Sequence, residues 1–183
     1  SYMEMARLNQ KARNYGNAQR LFEEYIDRLP EEAQHYFRDI SPVSTPEELK
    51  IYRDTPEAQK KEMVRRFWNR RDPAPLTAAN ERLVEHYRRV AYAREHYAGG
   101  ESPWDDRGEV YIRLGPPDHI SRSGEVQVER DLYLLHTRLN FARRYHPTLP
   151  VVPGLPFFPV EEDVRWEYWI YTDIGDGIEL TFI

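Results

Sequence analysis

An α+β fold is what this sequence predicts: a helical N-terminal half packed on a small, mainly antiparallel β-sheet. Three observations predict it. Apolar residues recur at helical spacing through the first hundred positions, in segments that open on cap-proline-acid signals. Short runs of alternating apolar residues appear only after Asp105. The last two such runs flank a Gly/Asp turn, Asp173-Ile174-Gly175-Asp176-Gly177, as an antiparallel pair requires.

In order, Ala18, Leu21, Phe22, Tyr25, Ile26 and Leu29 fall on one helical face, and Pro30 stops that helix. A short helix follows over residues 31–37. Thr45-Pro46-Glu47-Glu48 places a threonine cap before proline, with a glutamate at the third helical position. Thr55-Pro56-Glu57 repeats the order and opens a helix to residue 69, with Val64, Phe67 and Trp68 buried and Met63 beside them. Asp72-Pro73-Ala74-Pro75 breaks the chain. Thr77 is expected to cap the next helix, running to residue 97. Its inward stripe is Leu83, Tyr87, Val90, Ala91 and Tyr97, and Glu85 and Arg89 form an i,i+4 pair. Gly99-Gly100 ends it.

Val110, Ile112 and Leu114 alternate with Tyr111 and Arg113, which predicts a half-buried strand ended by the turn Gly115-Pro116-Pro117-Asp118. A polar stretch at 121–124, a helix over 129–145 and a proline-rich apolar loop over 147–159 are expected next. Strands over 165–171 and 177–183 complete the series. On the first of these, Trp166, Tyr168 and Ile170 face one way, and Glu167, Trp169 and Tyr171 the other. The final strand runs to the last residue, so the native protein is expected to continue.

A chain of 183 residues can bury one good core with a helical extension. A net charge of -5 and a pI near 5.7 argue against a nucleic-acid binder, which needs a basic field. The basic pairs, among them Arg65-Arg66 and Arg143-Arg144, are interleaved with acids and read as a solvated or ion-paired face. With no cysteine, disulfides, thiolate zinc sites and cysteine nucleophiles are excluded. No apolar run is long enough to span a membrane. The six histidines lack His-x-x-x-His or Glu-x-x-His spacing, so zinc is not expected. There is no nucleophile elbow and no phosphate-cradling glycine loop.

Two segments carry most of the remaining information. They are Phe67-Trp68-Asn69-Arg70-Arg71-Asp72-Pro73-Ala74-Pro75 and Asp105-Asp106-Arg107-Gly108-Glu109-Val110-Tyr111-Ile112-Arg113-Leu114-Gly115-Pro116-Pro117-Asp118, with Glu85-His86-Tyr87-Arg88-Arg89-Val90-Ala91-Tyr92-Ala93 between them. In this order and spacing they resemble the bacterial GWxTD-domain family over residues 45–120, and again at Trp166-Glu167-Tyr168-Trp169-Ile170-Tyr171. The resemblance implies a domain over 45–183 with an insertion near 121–164, preceded by a helical extension over 1–44. It also implies the periplasm or cell envelope as the compartment. The family's name motif is altered here: Pro103-Trp104-Asp105-Asp106 is one residue shorter, with proline for glycine and aspartate for threonine. Trp104, Asp106, Arg107 and Gly108 are kept, whereas any role of the missing threonine or glycine is in doubt.

The strongest polar constellation is Arg70, Arg71, Asp72, Arg88, Arg89, Trp104, Asp105, Asp106, Arg107 and Asp118. If the motif segments meet, acids and guanidinium groups would converge near the two ends of the strand at 110–114. A bracing network, an anion site and a catalytic site are all compatible with those residue types. Asp105, Asp106, Glu109 and Asp118 could offer oxygen ligands to calcium or magnesium, yet they lack the spacing of a binding loop, so no metal and no cofactor is assigned. No residue is assigned a catalytic role. Val152, Leu155, Phe157 and Phe158, with Trp169 and Tyr171, form a candidate partner surface. The reading is a non-catalytic interaction or scaffold module whose partner is another protein. The alternatives are an enzyme or small-ligand domain using the Asp/Arg cluster, and a carbohydrate-binding face requiring Trp169 or Tyr171 exposed and flat.

Overall fold

The computed structural model describes residues 1–124, 131–145, 148 and 164–183. The described residues form an α+β fold of eight α-helices and a three-stranded antiparallel sheet. They divide into two compact units, residues 1–115 and 116–183.

The first unit is helical throughout: α1 (Tyr2–Lys11), α2 (Tyr15–Ile26), α3 (Glu31–Arg38), a 3-10 turn (Ser41–Val43), α4 (Pro46–Asp54), α5 (Glu57–Asn69), α6 (Glu81–His96) and α7 (Asp106–Leu114). Helices α1 and α2 pack on each other, and α2, α3 and α7 all pack on α6. Val84, His86, Tyr87, Val90, Ala91 and Ala93 of α6 are accordingly buried. A second cluster joins Ile40, Phe67 and Trp68, flanked by Val43, Tyr52, Val64 and Leu83. The Thr45 capping box forms as its sequence requires: Thr45 Oγ1 accepts from the Glu48 amide and Glu48 accepts from the Thr45 amide.

Three expectations are corrected here. Thr55 does not cap α5; its hydroxyl donates back to the Ile51 carbonyl at 2.7 Å, closing α4 instead. Thr77 does not cap α6. Asn80 does, accepting from the Leu83 amide at 2.9 Å while donating to the Trp68 carbonyl at 2.8 Å, so one side chain starts α6 and ties it to α5. The third correction is the largest: residues 110–114 are not a strand but the second half of α7. The positions buried there are Gly108, Tyr111, Ile112 and Gly115, the 0, 3, 4, 7 spacing of a helix face.

The second unit holds β1 (His119–Arg122), α8 (Leu132–Tyr145), β2 (Glu167–Tyr171) and β3 (Ile178–Phe182), with sheet order β1-β2-β3. Strand β1 begins within the stretch expected to be turn and polar loop. It pairs Ile120 with Trp169, and β2 pairs Trp169 with Leu180. As the central strand, β2 is buried at all five positions. Leu134 of α8 packs on Trp166, Tyr168 and Ile170. Trp169 lies edge-on to Phe182 and donates through Nε1 to Glu167 at 2.6 Å. Trp169 and Tyr171 are 0% and 3% exposed, so neither is the bare flat ring that a carbohydrate face requires. The expected loop over 147–159, including Val152, Leu155, Phe157 and Phe158, lies outside the described residues apart from Thr148.

Candidate functional site

The motif residues are organised around helix α7, one group at each end. At its start, Asp105 Oδ1 accepts from the Arg107 and Gly108 amides at 2.9 and 3.3 Å, and Oδ2 takes the Arg107 Nη2 at 2.6 Å. This is an N-cap whose negative charge also opposes the positive end of the helix dipole. The Asp105 amide donates to the Tyr97 carbonyl at 2.8 Å, fixing the start of α7 to the end of α6. The Arg107 guanidinium lies over the Tyr97 ring at 5.2 Å.

Gly108 explains why tryptophan stands four residues before it. A Cβ at Gly108 would come within 2.3 Å of Trp104 Cβ, so the indole arm rests on bare backbone. Trp104 then meets Tyr36 edge-on, with ring centroids 5.7 Å apart.

At the other end, Arg89 reaches across from α6 and donates through Nη1 to the Ile112 and Arg113 carbonyls at 3.3 and 3.1 Å. A cation there satisfies carbonyls that the ending helix leaves open and complements its negative end. Gly115 terminates α7 with φ 93°, and a Cβ there would sit 2.8 Å from Arg89 Nη2. Both the left-handed backbone and the seat for the guanidinium require glycine. Arg113 adds a tie to the 3-10 turn, donating to the Pro42 carbonyl at 2.7 Å.

Glu85 holds Arg89 from behind. Its carboxylate accepts from Arg88, Arg89 and Gln10 at 2.7–2.8 Å. Burial would raise its pKa, but the hydrogen bonds from Arg88 and Arg89 outweigh that and lower it to about 2. The expected Glu85–Arg89 pair is therefore present, widened into a four-residue network. Arg71 makes a separate brace: Nη2 contacts both Glu48 oxygens at 2.7 Å, and the guanidinium stacks 3.7 Å above the Phe67 ring. The Arg71 hydrogen bond holds Glu48 below the usual carboxylate range.

The remaining candidates are local. Asp72 accepts from the Ala74 amide at 3.0 Å, an Asx turn within the proline break. Arg70 is the exposed C-cap of α5, and Asp106 is an exposed first-turn acid of α7. Asp118 belongs to the second unit, where Oδ2 accepts from the Thr172 amide and hydroxyl at 2.7 and 2.8 Å. The ten-residue constellation thus resolves into separate networks, not one convergent set. Sequence reasoning missed Glu48 as the partner of Arg71. It also missed Arg82, a half-buried cation whose pKa is lowered chiefly by burial and then by Arg89.

What this arrangement does chemically is immobilise helix ends. Two concavities of the first unit, about 610 and 540 Å³, lie away from α7's caps, and of the ten candidates only Arg88 lines either. No curated protein and no solved structure gives a significant match to the chain. A family model does match, the GWxTD domain, over residues 31–141. That span takes in the Arg71 brace, Glu85 with Arg88 and Arg89, and both ends of α7, and by it this chain belongs to the GWxTD domain family.

Proposed function

We propose that the chain works as a non-catalytic interaction module, carried by a bacterial, envelope-associated protein as its family resemblance implies. The observation that supports this reading is how the motif side chains are spent. Arg71, Arg89, Asp72 and Asp105 use their hydrogen bonds on backbone groups or on counter-charges of their own unit. A catalytic acid or base must instead present its polar atoms to a place where substrate can sit. Residues committed to capping hold a surface in shape for a partner and perform no chemistry there.

The test compares folding with partner contact for Asp72→Ala and Arg107→Ala. Each removes one side of a hydrogen-bonded pair and is expected to cost about 1 kcal/mol of stability, seen as a lowered Tm. Site-specific cross-linking in the host cell should weaken only in step with that loss. Variants that melt like the parent and yet lose the cross-linked partner would place the motif in a binding or catalytic site and end the scaffold reading.

A further inference from the structure

The concavity of about 540 Å³ in the first unit lies between the α1–α2 corner and helix α6. Its lining is cationic and aromatic: Arg7, Lys11, Arg13 and Arg88, with Tyr15 and Tyr92. In a chain of net charge -5 that concentration of positive charge is out of character. Two acids touch the lining, and both are already engaged. Glu85 is shared among Arg88, Arg89 and Gln10, and Glu95 is bonded to Arg7 at 2.7 Å. Neither Lys11 nor Arg13 has an ion-pair partner among the described residues.

The two cations are not needed to end α1 either. The Leu8, Gln10 and Asn9 carbonyls are taken by the amides of Ala12, Arg13 and Asn14 at 2.8–3.0 Å. Arg13 holds a left-handed backbone, φ 59°, unusual for a residue with a long side chain. Beside them, Gln10 gives its Nε2 to Glu85, while its Oε1 is buried with no hydrogen-bond partner among the described residues. Tyr15 and Tyr92 provide apolar wall.

We propose that this groove binds a small organic oxyanion, a phosphate ester or carboxylate on a ring, with Lys11 and Arg13 taking the charge. Tyr15 and Tyr92 flank its ring. Five of the residues involved, Arg7, Gln10, Lys11, Arg13 and Tyr15, precede the family match at 31–141. It stands independently of the scaffold reading.

The test is an amide-shift titration of the full chain at low ionic strength with phenyl phosphate and, separately, benzoate. Phenyl phosphate is expected to shift the amides at 11–15 and 92 with a Kd in the millimolar range or tighter. The Lys11→Gln/Arg13→Asn double variant should weaken it by about tenfold, and asparagine keeps the left-handed backbone accessible. Both side chains are exposed, so an unchanged Tm serves as the folding control. Shifts from phenyl phosphate alone assign a phosphate ester, and shifts from both probes assign oxyanions generally. No shift at these amides with either probe, or equal affinity in the double variant, overturns the proposal.

Discussion

His86 is 1% exposed on α6, its ring tilted against Trp68 at 4.8 Å and Tyr87 at 6.2 Å. Burial lowers its pKa to about 4, an effect that the nearby Phe37 backbone offsets only in part. Among the described residues, neither ring nitrogen makes a hydrogen bond of good geometry. Because the unfolded chain binds this proton more readily, His86's contribution is complete above pH 6.5 and is lost as pH falls toward 4. Glu85 acts lower, its contribution present above 4.5 and lost as pH falls toward 2. Urea denaturation at pH 7 and pH 4.5 should therefore differ, with about 3 kcal/mol of the loss over the full range traceable to His86. His86→Phe should flatten the upper part of the curve. A parent chain equally stable at both pH values would refute the assignment. The position was legible: His86 lies three residues after Leu83 and four before Val90, on the predicted inward stripe. Its polar type is what hid it.

At the scale of elements, α2 to α6 were readable from apolar spacing and start signals, and α7 was not. Val110, Ile112 and Leu114 do alternate, but the true buried face runs through Gly108 and Gly115, whose burial carries no hydrophobic signal. Asp105 was the clue, since an acid two residues before an Arg-Gly pair is also an N-cap in waiting. Strand β1 was missed because His119-Ile120-Ser121-Arg122 has only one apolar residue; pairing with β2, not its own composition, makes it a strand. In the second unit, α8 sets Arg138 against Glu179 of β3 at 3.6 Å, with side chains 3% and 7% exposed, and over Tyr168 at 5.7 Å. Burial is the main cause raising the Tyr168 hydroxyl pKa, which keeps the phenol neutral beside the pair. Arg138→Met should remove a counter-charge from a buried carboxylate at a cost of about 3–5 kcal/mol, and adding Glu179→Leu should recover much of it. Urea midpoints decide this. A single variant as stable as the parent would mean the pair is not holding α8 to the sheet.

Over the whole molecule, helical spacing with its start signals and the two runs around the Gly/Asp turn were enough for the α+β class. The candidate site was legible as a set of residue types but not as an arrangement. Arginine and aspartate in motif segments look alike whether they brace or bind; only their partners, Glu48, Glu85 and the carbonyls of Ile112 and Arg113, tell the two apart. The motif locks α7 onto the helical unit through Asp105, the Trp104–Gly108 seat and the Arg89–Gly115 seat. Gly108→Ala tests it most directly, because the sign of the effect is at stake. In an ordinary helix interior, alanine is favoured over glycine by about 1 kcal/mol. Here the added Cβ would meet Trp104 Cβ at 2.3 Å, and forcing the indole off its seat should cost about 1–3 kcal/mol. The expected result is a lowered Tm for Gly108→Ala, and a smaller loss from the same change in a Trp104→Gly chain, which lacks the Cβ it would meet. A Gly108→Ala chain that melts above the parent would contradict the lock.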